Sequence, residues 1–130
     1  MARPMHFEIQ ASNPPVLMDF YSQLFGWTFN KWEAGEYWMI HTGPDDQPGI
    51  NGGLLPRQGP PPVDMAAVNA SVLTIIVDDL DATLAKLGSI GGGAKVAVPK
   101  MAVPSIGWLA YIKDPDGNFF GMMQPDTRAA

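Results

Sequence analysis

The sequence predicts an α+β protein built from two tandem strand–helix–strand–strand–strand (βαβββ) modules, and three observations carry that prediction. His6-Phe7-Glu8-Ile9-Gln10 alternates strictly between polar and apolar residues and runs into an apolar set at helical spacing. The same order of signals returns in the second half of the chain. Between the halves, Pro56-Arg57-Gln58-Gly59-Pro60-Pro61-Pro62-Val63-Asp64 can hold neither helix nor central strand and reads as a stiff, extended connector. The expected organisation is a single domain over residues 1–130, with module 1 at about 5–55, the connector at 56–70 and module 2 at about 71–124.

In module 1 the alternating segment is a half-buried strand. Asn13 stands at a helix N-cap, with Pro14 at the first helical position. Leu17, Phe20, Tyr21, Leu24 and Phe25 follow on one face, and Gly26 supplies the stop. Three strands are expected at about 27–32, 37–42 and 50–55. In module 2, Val72 to Val77 is a β-branched strand, and Asp78 or Asp79 caps a helix carrying Leu80, Leu84 and Leu87. Gly88 and the run Gly91-Gly92-Gly93 are expected to end it, with strands at about 94–98, 108–113 and 118–124. Asp114-Pro115-Asp116-Gly117 makes the last turn, with Gly117 free to take a positive φ. Placing Trp38 on Trp108 aligns His41 with Tyr111, and two extra residues in the first turn bring Gly53 onto Gly121.

Composition removes several function classes. At 130 residues and 46% hydrophobic, the chain can bury one core without staples. With no Cys there is no disulfide framework, thiolate metal site or Cys nucleophile. Lys and Arg number 8 against 13 Asp and Glu, and no basic run occurs, so a nucleic-acid partner is not expected. No apolar run approaches the roughly 20 residues of a membrane span, and the start lacks a signal-peptide stretch. A cytoplasmic protein with no membrane partner is expected. The triple glycine follows a helix rather than opening one, which removes the geometry of a phosphate loop.

This layout resembles the glyoxalase/bleomycin-resistance/extradiol-dioxygenase superfamily, the vicinal oxygen chelate proteins. The residues that carry the resemblance are His6, Asp19-Phe20-Tyr21 with Leu24-Phe25-Gly26-Trp27, Val77-Asp78-Asp79-Leu80, and Asp114-Pro115-Asp116-Gly117-Asn118. The resemblance implies two modules whose curled mixed sheet surrounds a cleft with the helices outside, and it implies a homodimer. In the metal-dependent branch, four side chains from the first and last strands hold a divalent ion. Those positions fall on His6, Gly53, Val72 and Gly121, so three of the four carry no ligand atom. One imidazole cannot hold a divalent ion tightly, because such sites need about three protein ligands. No metal and no cofactor are therefore expected. Glu8, Gln10, His41 and Asn51 are the nearby ligand-type residues, and a His6–Glu8–His41 set would be a new arrangement.

Alternation puts His6, Glu8 and Gln10 on the face opposite Phe7 and Ile9, hence on the cleft side if the apolar pair packs on the helix. Tyr37, Met39 and His41 share a face, as do Leu109, Tyr111 and Lys113 in the matching strand of module 2, and this matched parity puts His41 and Tyr111 in the cleft, while Trp38 and Trp108 are expected in the core. His6 is either a ligand-contacting acid or base or a strand residue bonded to its neighbours. Glu8 is either a general base or the partner of a cation. Gly53 and Gly121 are expected to leave room beside an apolar wall of Val72, Ile76, Phe119 and Met123, with Tyr111 at its polar end. The expected function is glyoxalase-like binding of a small apolar or aromatic compound without the metal. The alternatives are a lyase or isomerase related to lactoylglutathione lyase, using His6 and Glu8, and a drug- or toxin-sequestering resistance protein.

Overall fold

Each half of the chain lays one helix on a four-stranded mixed sheet, as the repeated pattern predicts. The computed structural model describes residues 3–68 and 71–130, in two compact units, Met1–Pro61 and Pro62–Ala130. Unit 1 contains β1 (His6–Ala11), α1 (Pro14–Phe25), β2 (Thr28–Lys31), β3 (Trp38–His41) and β4 (Asn51–Pro56), with sheet order β1-β4-β3-β2. Unit 2 contains β5 (Leu73–Ile76), α2 (Leu80–Ile90), β6 (Lys95–Val103), β7 (Gly107–Lys113) and β8 (Phe119–Pro125), in the order β5-β8-β7-β6. In each sheet the first strand runs parallel to the last, because the helix crosses between the first strand and the hairpins, and the remaining pairs are antiparallel. No helix among the described residues is long and apolar enough to cross a membrane.

The core of unit 1 comes from the apolar stripe of α1. Leu17, Phe20, Tyr21 and Leu24 are buried with Ile9, Ile40 and Leu54 of the sheet. Trp27 closes the cluster, its ring 5.2 Å from Tyr21 and 5.1 Å from Phe25. Gly26 ends α1 at φ 75°, and its N–H donates to the Ser22 carbonyl, the close that a residue without Cβ makes easily. Asn13 is the N-cap but its side chain makes no capping bond. In unit 2, Leu80 and Leu87 of α2 are buried together with Ala110, Ile112, Phe120 and Met122. Asp79, not Asp78, caps that helix by accepting from the Ala82 N–H at 3.0 Å.

Four expectations change. Gly88 does not end α2, which runs to Ile90 and stops at Gly91, where φ reaches 72°. β6 runs to Val103 instead of 98, because irregularities between Val96 and Met101 accommodate Pro99. Trp38 and Trp108 are only half-buried. Each lies beneath a lysine, Lys31 at 5.9 Å and Lys100 at 5.0 Å from the ring, and the Trp108 indole N–H donates to Asp126. The connector also is not simply extended, and its last two expected residues lie outside the described ones. Past Pro62 no proline holds it open, and Val63 to Ala66 turn back with Met65 at φ 69° and the Ala66 N–H on the Val63 carbonyl.

Candidate functional site

The register of the first sheet sorts its side chains onto two faces. Phe7, Gly52 and Ile40 form one row on the helix side, and Glu8, Gly53 and Met39 form the next row on the open side. The Gly52-Gly53 pair lies in a central strand where both faces need space. On the helix side a Cβ at Gly52 would meet the Phe7 carbonyl oxygen at 2.5 Å and the Phe7 ring carbons at 2.8 Å. On the open side a Cβ at Gly53 would overlap the hydroxyl and ring of Tyr37. Gly53 thus leaves no vacant room. Tyr37 fills it.

Tyr37 precedes β3 by one residue, and its carbonyl accepts from the Trp32 N–H at 2.7 Å. The ring reaches back across Gly53, so that the hydroxyl meets both candidate residues of β1, His6 and Glu8. It donates to Glu8 Oε2 at 3.0 Å and lies 2.7 Å from His6 Nε2. A phenol has one proton. With that proton on a carboxylate, the His6 contact is completed by an N–H at Nε2, the tautomer in which Nδ1 is the acceptor when the ring is neutral. The His6 and Tyr37 rings lie at 13° with centroids 6.5 Å apart, and Trp32 meets Tyr37 edge-on at 6.4 Å. Burial holds the Tyr37 hydroxyl above the usual tyrosine range, reinforced by its bond to the Glu8 carboxylate and by that charge. Tyr37 therefore favours the folded state below the ordinary tyrosine pKa, and that contribution is lost as pH rises through the raised value. At neutral pH it is a neutral donor and acceptor, not a base.

The other expected residues divide. Gln10 shares the open face, and its backbone carbonyl accepts from Arg57 at 3.3 Å. His41 sits exposed at the far end of β3, opposite Thr28, and does not join His6 and Glu8. Asn51 turns to the hairpin, where its Oδ1 accepts from the Thr42 N–H at 2.9 Å. Among the described residues no three His, Cys, Asp or Glu side chains converge as a metal group, so the His6–Glu8–His41 set is not assembled. The residues at the family's ligand positions do not fit its four-ligand site. His6 Nε2 is engaged by Tyr37, the Gly53 position is filled by the Tyr37 hydroxyl, and Val72 and Gly121 offer no donor.

In unit 2 the open face is aromatic and aliphatic. Thr74, Gly121 and Tyr111 form one row, and Ile76, Met123 and Leu109 the next. Tyr111 stacks on Phe119 with centroids 5.4 Å apart. Ile76 is 72% exposed, whereas Val72 is half-buried and lies just before β5. Gly121 is tight as well: a Cβ would stand 3.2 Å from Thr74 Oγ1 and 3.3 Å from Tyr111 Cε1. The register also corrects the internal alignment. Gly53 faces Met39 and Gly121 faces Tyr111, so Tyr111 corresponds to Met39 and not to His41. Sequence reasoning gave Tyr37 no role in the site, although its parity was read correctly. The signal that could have found it is Gly53, a glycine on the open face of a central strand.

Comparison with known proteins agrees with this fold. The model of the Glyoxalase/Bleomycin resistance protein/Dioxygenase superfamily matches residues 3–122. CFP32 of Mycobacterium tuberculosis, provisionally named a glyoxylase, is 29% identical over 120 residues, covering 91% of this chain. The chain spans 42% of that relative's length. TnmS3, an antibiotic binding protein from Streptomyces sp. CB03234, is 26% identical at a TM-score of 0.64, over 97% of this chain and 98% of its own. A fosfomycin resistance protein, FosX of Listeria monocytogenes, shares the fold at a TM-score of 0.73 and 10% identity, over 97% of this chain and 92% of its own. With two βαβββ units and a family match over nearly its whole length, the chain belongs to the Glyoxalase/Bleomycin resistance protein/Dioxygenase superfamily.

Proposed function

We propose that the chain binds a small organic molecule on the open face of its first sheet without the family metal, and that Tyr37, His6 and Glu8 anchor its hydrogen-bonding group. The observation that carries this reading is the Tyr37 hydroxyl filling the Gly53 position, held between an imidazole and a carboxylate. The Glu8 oxygen and His6 nitrogen turned away from Tyr37 can each accept a hydrogen bond, which suits a ligand hydroxyl or N–H. Met39 beside the anchor and Trp32 against Tyr37 offer apolar and aromatic surface for the ligand's body. The likeness to TnmS3 supports a binder.

A lyase or isomerase is the second reading. It is favoured by two proton-carrying side chains meeting one hydroxyl and by the likeness to CFP32. A protein-observed NMR screen of aromatic alcohols and amines tests the first reading. Amide shifts should gather in β1, residues 37–41 and β4 at millimolar concentrations. Shifts confined to other elements, or none, would refute it.

A further inference from the structure

On the open face of the second sheet, two like charges stand directly opposite one another. Lys95 of β6 pairs with Lys113 of β7, and Lys113 pairs in turn with Phe119 of β8. Like charges at directly opposed positions are unfavourable, so such a pair calls for an anion. Asp64 of the connector supplies one. Its Oδ1 accepts from Lys113 Nζ at 3.1 Å, and its Oδ2 lies 3.2 Å from Lys95 Nζ. The Lys113 side chain is only 15% exposed, and the two ammonium groups hold the Asp64 carboxyl below its usual range. Asp64 reaches them from the turn in which Met65 takes φ 69°, a conformation that residues with a Cβ adopt reluctantly.

The next row on the same face is Gly121 and Tyr111, whose ring stacks on Phe119. A carboxylate held by two lysines thus lies beside a paired aromatic surface, and the carboxylate belongs to a turn rather than to the sheet. We infer that Lys95 and Lys113 form a carboxylate-binding site for an aromatic acid whose ring rests on Tyr111 and Phe119, and that Asp64 occupies this site as an internal competitor. The inference rests on unit 2 alone and does not depend on the anchor at Tyr37. A tethered carboxylate acts at a local concentration on the order of millimolar, so an external acid competes poorly until Asp64 is removed.

The test is titration calorimetry with 2-naphthoate on the wild-type chain, Asp64→Asn and Asp64→Ala, with near-ultraviolet circular dichroism to confirm folding. Both variants should bind 2-naphthoate at least about ten-fold more tightly than wild type. Lys113→Met added to Asp64→Asn should abolish the gain, because the partly buried ammonium is lost. Neither 2-naphthylmethanol, which has no charge, nor acetate, which has no ring, should match the naphthoate affinity. Equal affinity of wild type and both Asp64 variants would overturn the inference. So would a gain that survives Lys113→Met, or a gain shared equally by the alcohol or by acetate.

Discussion

Gly53→Ala is expected to evict Tyr37 from the open face while leaving the fold intact. The new Cβ overlaps the hydroxyl and ring of a side chain that can swing outward, and no backbone atom of another strand is among its nearest neighbours. Two hydrogen bonds are lost, each worth about 0.5–1.5 kcal/mol, and replacing a strand glycine returns roughly 0.5–1 kcal/mol. The net loss of stability should be about 1 kcal/mol, whereas binding of aromatic alcohols at the anchor should fall about 10-fold or more. The hydroxyl also leaves Glu8 and its partial burial, so the alkaline absorbance titration of Tyr37 should move down toward that of an ordinary tyrosine. Unchanged binding together with an unchanged titration would mean that Tyr37 does not occupy this place in solution.

Gly52→Ala, one residue earlier, should do the reverse and damage the fold. Here the Cβ faces the Phe7 carbonyl oxygen of the neighbouring strand, and a backbone atom inside the parallel β1–β4 pair cannot rotate away. The Phe7 ring above it packs on Trp27 at 5.9 Å and is confined too. Overpacking of this kind lies at the upper end of its usual range, about 3 kcal/mol, and urea unfolding should show it as a shifted midpoint. A loss below about 1 kcal/mol would mean that β1 and β4 are not paired as described.

The two glycines also show where sequence reading succeeds and where it stops. Alternation in β1 separated His6 and Glu8 from Phe7 and Ile9, and the stripe Leu17, Phe20, Tyr21, Leu24 marked the helix that covers Ile9 and Ile40. Both depend on short-range periodicity, which a chain displays openly. The meeting of His6, Glu8 and Tyr37 depends on a contact across about thirty residues and on a ring whose hydroxyl end fills the space at Gly53. Parity gave Tyr37 the correct face but not its reach. The half-buried state of Trp38 and Trp108 was hidden for a related reason: a tryptophan at the end of a sheet face can be roofed by a neighbouring lysine instead of a helix. The turn at Asp64 was masked by the prolines before it, since the lysine pair that holds it lies on distant strands.

With the Tyr37 hydroxyl at the Gly53 position, one of the four where the family resemblance implies metal ligands, the His6 face is proposed as an anchor for an organic group and not as a metal centre. Titration calorimetry of the wild-type chain and His6→Ala with manganese(II), nickel(II) and zinc(II) tests it most directly. No binding at one ion per chain that depends on His6 is expected. Tight one-to-one binding in the wild type that disappears in His6→Ala would contradict it.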